Sequence, residues 1–170
     1  MNTNTIAFVS LCSEYCQALE GVSTNTRGQF VASMTRLLPR LYIAATDLTT
    51  DSVDADEGYI NPSLDEEYYE SVRRNIETIM AQDDTYLEVF EADMKYSDTP
   101  IGASIAESLA DIFQPLYNFL AMIDNATDDI VDMAVGAIRD DFMAYWGQTL
   151  CNVMRPLNHL RMGADSDTDF

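Results

Sequence analysis

The chain has 170 residues, 47% of them hydrophobic, which suits one domain with a sizeable core and is too apolar for a disordered segment. Its 29 acidic side chains stand against 9 basic ones, for a formal net charge of -20. A surface of that sign repels phosphate backbones and anionic lipid, so neither nucleic acid nor a membrane is expected as a partner; what it suits is solubility, a basic protein or a multivalent cation.

The opening MNTNTIAFVSLCSEYC lacks a basic leader, and Ser10, Ser13 and Glu14 break its apolar run, so a cytoplasmic location with reduced thiols is expected. Over about residues 4–20, Phe8, Leu11, Cys12, Tyr15 and Leu19 recur at helical spacing, and Gly21 suits the exit. Cys12 and Cys16 read as small core hydrophobes; with three cysteines, no Cys-x-x-Cys and a single histidine, no zinc site and no cofactor are expected. A second helix, about 26–48, buries Phe30, Met34, Leu37, Leu38, Leu41 and Ala45, with a kink expected at Pro39.

The stretch TDLTTDSVDADEGYINPS, ending at Ser63, reads as one long acidic loop, and it misses the register of a calcium loop. A third helix, about 64–81, follows. Residues 85–99 suit a short extended piece or a helical turn equally. The fourth helix, about 100–123, carries Ile105, Leu109, Ile112, Leu116 and Phe119 on one face and Pro115 inside it. The fifth and longest, about 127–162, follows the cap Asn125-Ala-Thr127. Residues 164–170 read as an acidic, frayed tail. The expectation is an all-α, single-domain bundle of about five helices over 1–163, with kinks at internal prolines and one long acidic loop.

FMAYWGQTLCNVMRPLNHL (142–160) holds the rarest residues, Trp146 and His159. Val131, Val135, Ile138, Phe142, Trp146, Val153, Leu157 and Leu160 share a face, which makes Trp146 a core anchor; His159 falls outside it without co-ligands. Arg139 sits at the edge of the apolar face, where an ion pair with another helix or a stem laid over an aromatic ring is expected, and an anion site is the functional alternative. Glu107 and Asp111, four apart, share a side of the fourth helix and suit either a solvated face or a hard divalent cation. Glu66-Glu67-Tyr-Tyr-Glu70 with Glu88-Val-Phe-Glu91 resembles the paired acidic motifs of all-α nucleoside-triphosphate pyrophosphohydrolases, although Glu67 and Glu70 point away from the Tyr69–Val72–Ile76 stripe.

Together LLPRLY (37–42), SIAESLADIF (104–113), FMAYWGQ (142–148) and the closing MRPLNHL resemble a bacterial all-α family, domain-of-unknown-function family 5063. The resemblance matches Asp111, Arg139, Phe142, Trp146 and Gly147 to family positions and implies an Arg139–Asp111 pair, with no activity attached. Glu107 stands where Asp is usual, and Ser108, Met143 and Tyr145 replace a common acid, Glu and His. The leading expectation is a non-enzymatic module that contacts a protein partner or a second copy, with Tyr59, Tyr68, Tyr86 and Tyr96 as exposed aromatics. The alternatives are a pocket for a small molecule or divalent metal, built from Glu107, Asp111, Arg139 and Trp146, and a Mg²⁺-dependent phosphohydrolase.

Overall fold

A computed structural model describes residues 1–51, 58–88, 95 and 99–166, with side chains described as far as residue 163. It is an all-α bundle: α1 (Thr3–Glu20), α2 (Arg27–Thr46), α3 (Glu66–Met80), α4 (Ile105–Ile123), α5 (Asp128–Asp141) and α6 (Gly147–Ser166), with one small antiparallel ribbon, β1 (Thr85–Leu87) against β2 (Gly102–Ser104). A π-helical turn, Phe142–Trp146, joins α5 to α6, so these two make one long rod and the described helices form five rods. The helices continue through Pro39, Pro115 and Pro156.

Local chemistry sets the ends. Asn2 caps α1 by accepting from Thr5 N–H; Thr26 and Gln29 form a reciprocal capping box on α2. Asp65 accepts from Tyr68 N–H at 2.7 Å to start α3. Buried Asn118 secures the segment before it, its Oδ1 accepting from Ser63 N–H at 2.9 Å and Leu64 N–H at 2.8 Å. Residues 52–57 of the expected acidic loop lie outside the described residues; at Gly58, within its closing part, a Cβ would lie 2.4 Å from the Met133 carbonyl oxygen, so only glycine lets the chain pass α5 this closely.

Before α4 one open reading is decided and one expectation changes. The ambiguous 85–99 stretch is extended at 85–87, and its partner, 102–104, was expected to be helical. Asp84 explains the later start: Oδ1 accepts from Ala106 N–H at 2.8 Å, Oδ2 accepts from Ser104 Oγ at 2.6 Å, and its carbonyl takes Ile105 N–H at 2.8 Å. A buried carboxylate at the N-terminus of the helix favours a start at 105 over one at 100. At the far end of the chain α6 continues to Ser166, and residues 167–170 of the expected tail lie outside the described residues.

Helix α4 is the central element and packs on α1, α3, α5 and α6. Phe8, Tyr15, Phe30, Met34, Leu38, Phe113, Phe119 and Trp146 are all fully enclosed in one core. Tyr15 satisfies its hydroxyl there by donating to the Leu109 carbonyl at 2.7 Å. Cys12 and Cys16 are buried free thiols and Cys151 is exposed. Among the described residues no helix is long and apolar enough to cross a membrane.

Candidate functional site

Two facing stripes run along α4 and the α5–α6 rod. Glu107, Ser108, Asp111, Gln114, Pro115 and Asn118 recur at three- and four-residue intervals, as do Asp141, Tyr145, Gln148 and Asn152. Between them lie two open clefts. The larger, about 520 Å³, is lined by Glu88, Glu107, Ser108, Asp111, Tyr145 and Asn152 among others. The smaller, about 200 Å³, takes Asp111, Gln114, Asn118, Asp141 and Tyr145. The lower end of the α4 stripe faces the upper end of the α6 stripe, so the two rods are antiparallel here.

The π turn delivers Tyr145 to this place. Gly147 N–H donates to the Phe142 carbonyl, five residues back, and Phe142 and Trp146 are both buried in the core. Their rings meet edge-on, 4.6 Å between centroids, and Trp146 also stacks on Phe8 at 6.3 Å. A Cβ on Gly147 would sit 2.6 Å from the Phe142 carbonyl oxygen and 2.9 Å from its ring, so the turn closes only on glycine.

Asp111 is the hub. Tyr69 of α3 donates to Oδ1 at 2.5 Å and Tyr145 donates to Oδ2 at 3.2 Å, tying three elements to one carboxylate. Pro115 withholds the N–H that would bond the Asp111 carbonyl, and Pro156 does the same to Asn152 across the cleft. Burial, then the charge and hydrogen bond of Asp111, push the Tyr145 hydroxyl up to about 12, with Glu107 and Asp141 adding to the effect. Burial and the bond to Asp111 raise Tyr69 as well. Asp141 is itself raised by burial.

At the other end of the larger cleft, Ser108 and Tyr86 hydroxyls lie 2.9 Å apart and Tyr86 donates to Glu88 Oε1 at 3.1 Å, which makes a chain Ser108 to Tyr86 to Glu88. Burial pushes Tyr86 up to about 12. Glu88 N–H is anchored on the Ile101 carbonyl at 2.8 Å, yet its Oε2 is enclosed and accepts no hydrogen bond from the described residues. Asn152, only 8% exposed, uses Oδ1 to accept from Gln148 at 3.0 Å. The larger cleft is thus lined by three carboxylates, Glu88, Glu107 and Asp111, and one oxygen of Glu88 is enclosed without a donor among the described residues. Among the described residues no three His, Cys, Asp or Glu converge tightly enough to hold a metal ion.

Of the four residues expected in a site, Glu107 and Asp111 come together in the larger cleft, and Arg139 and Trp146 line neither cleft. The expected Arg139–Asp111 pair does not form: Asp111 is engaged by two tyrosine hydroxyls, while Arg139 Nε lies 3.6 Å from Asp140, its neighbour in the chain rather than a residue of another helix. Trp146 is 0% exposed, as a core anchor, and its indole N–H is enclosed with no described acceptor. Tyr59 is exposed as expected, but Tyr86 is 7% exposed, Tyr68 is half-buried against Glu20, and Tyr96 lies outside the described residues. Of the acids likened to a pyrophosphohydrolase, Glu70 is held by Arg73 at 3.0 Å, Glu88 lines the cleft and Glu91 is outside the described residues. His159 is exposed. Tyr69, Tyr145, Ser108, Glu88 and Asn152 were not anticipated as a group; matching intervals on the two helices were the available signal for Ser108, Tyr145 and Asn152, and no interval points to Tyr69 or Glu88.

Fold and cleft define a class: an all-α protein with a polar trough between its central and C-terminal rods. The chain belongs to the family described as domain of unknown function (DUF5063), which matches residues 1–163. It is also similar to protein BF1032 from Bacteroides fragilis, known from a crystal structure, with 29% identity, a TM-score of 0.79 and coverage of 94% of this chain and 93% of that one. No curated protein matches the sequence.

Proposed function

We propose that this protein is a non-enzymatic binding module whose larger cleft takes an organic cation bearing N–H donors, an amine or a guanidinium. The observation that carries this reading is Glu88 Oε2, a buried carboxylate oxygen with no donor among the described residues, in a cleft that also holds Glu107 and Asp111. An enclosed acceptor left unsatisfied is costly, and a ligand N–H removes that cost. The directional hydroxyl and amide groups around it suit N–H donors better than a bare metal ion, which needs converging oxygens. Calorimetric titration with putrescine and agmatine, beside Mg²⁺, at about 0.15 M salt tests it, because screening suppresses adventitious attraction to the acidic surface. Saturable binding of either amine that survives Glu14→Gln and is lost in Glu88→Gln is expected. Equal weakening by both substitutions, or no binding, would overturn the reading.

A second reading, self-association, has its own observation. Ile43 is 60% exposed and Met143 is 68% exposed, and Tyr42, next to Ile43, packs edge-on against Phe142, next to Met143, at 5.1 Å. An apolar edge of this kind suits contact with a second copy, and light scattering as a function of salt tests it.

A further inference from the structure

The acids of this chain avoid one side of it. Residues 21–46 and 142–164 contain none of the 29 acidic residues, yet Arg27, Arg36, Arg40, Arg155 and Arg161 among the 9 basic ones fall there. Because α2 packs along α6, the two acid-free segments adjoin. Two copies with a net charge of -20 each would bring carboxylates against carboxylates over most of their surface, and this face lets them approach with far fewer between them.

Along α2, Gln29, Ser33, Arg36, Arg40, Ile43 and Asp47 are all exposed and follow one another at steps of four, three, four, three and four, the spacing that keeps residues in one straight stripe. From that stripe we infer that a second copy docks here about a two-fold axis through Ile43 and Met143, with the two α2 helices antiparallel and Arg40 of each copy paired with Asp47 of the other. This docking rests on the self-association reading and gives it a face and a register. An axis between positions 43 and 44 sets position 40 opposite position 47 twice, because a two-fold contact is reciprocal. Asp47 suits the role. Its carbonyl accepts from Asn4 Nδ2 at 2.9 Å, which anchors the backbone, and its carboxylate makes no ion pair among the described residues. Arg40 is available as well: Glu14 lies 3.7 Å away and both side chains are more than half exposed, so their pair is weak. The packing of Tyr42 on Phe142 sets Met143 level with Ile43, so these two largely exposed side chains each meet their own counterpart near the axis. An acidic partner of another kind would satisfy Arg40 and repel Asp47, whereas a second copy satisfies both.

The experiment is light scattering at about 0.5 M salt, where long-range repulsion is screened and a pair in direct contact is screened much less. It runs to millimolar protein because the contact is short. The wild type is compared with Arg40→Asp, Asp47→Arg and the double swap, each first checked for native circular dichroism. The expected result is a wild-type dimer that each single swap weakens at least roughly tenfold, as two like-charge pairs replace two opposite ones, and that the double swap restores to within about threefold. As a second readout, Ile43→Cys in a Cys151→Ser background should couple to its own counterpart through a short bismaleimide. Ser33→Cys in the same background, about 30 Å from its counterpart at this register, should not. A wild-type dimer that ignores the single swaps, is not restored by the double swap, or couples through Ser33→Cys instead of Ile43→Cys overturns the two-fold register and leaves self-association standing. A wild-type monomer at every salt and protein concentration removes the self-association reading, and this docking with it.

Discussion

Asp111 shows how far a residue's surroundings outweigh its sequence neighbours. Its spacing from Glu107 suggested a solvated pair or a metal ligand, yet it serves as the acceptor of two tyrosines. Nothing in the intervals of α4 points to Tyr69, which arrives from a separate helix. The hydroxyls also carry a pH dependence. Tyr145 and Tyr86 are raised from 10.0 to about 12 in the fold, and Tyr15 and Tyr69 are raised too, all with burial as the largest cause. Their folded values lie above the unfolded one, so the folded chain holds more protons; this contribution is complete below the unfolded value and is lost as pH rises through the folded one. Guanidinium midpoints should therefore fall between pH 10.0 and about 12, and fall less steeply in Tyr145→Phe than in the wild type. Identical slopes for the two chains would show that Tyr145 titrates as a free phenol.

At the scale of elements, the π turn is the decisive device. Periodicity placed Phe142 and Trp146 on one buried face, and both are buried, but ordinary α-helical counting contains no sign of the wider turn that presents Tyr145 to α4. Gly147 is where that turn is most exposed to mutation. Alanine normally helps a helix, yet here its Cβ would meet the Phe142 carbonyl at 2.6 Å and the ring at 2.9 Å. Gly147→Ala should destabilise the chain by about 1–3 kcal/mol in chemical denaturation, the usual cost of overpacking a core. It should also red-shift Trp146 fluorescence as the Phe142–Trp146 contact loosens. A neutral or stabilising result would mean that the turn relaxes to regular α-helix without loss. The β ribbon shows the same limit of local reading: Gly102–Ser104 became a strand because Thr85–Leu87 lies beside it and Asp84 caps the helix behind it.

For the whole molecule, the charge of -20 sets the conditions of association. Two copies brought together at the Ile43–Met143 edge repel strongly at low ionic strength, and screening weakens that repulsion at about 0.5 M salt, where the Debye length is only a few ångströms. Light scattering should find a monomer at low salt and a dimer in rising proportion at high salt, with Met143→Glu abolishing the dimer. A monomer at every salt concentration would remove the self-association reading.

The sequence by itself determined the all-α class, the helix faces, the buried positions of Trp146, Cys12 and Cys16, and the family, because apolar periodicity and caps act over a few residues and are written in the chain. It also set Glu107 beside Asp111. Which residues meet across helices was decided only by the tertiary structure. Arg139 was placed beside Asp140 instead of Asp111, Tyr69 and Tyr145 were brought to one carboxylate, and Glu88 was enclosed in the cleft. The physical reason is that a polar side chain takes whatever partner packing brings within hydrogen-bond reach, and that partner can lie tens of residues away in the chain.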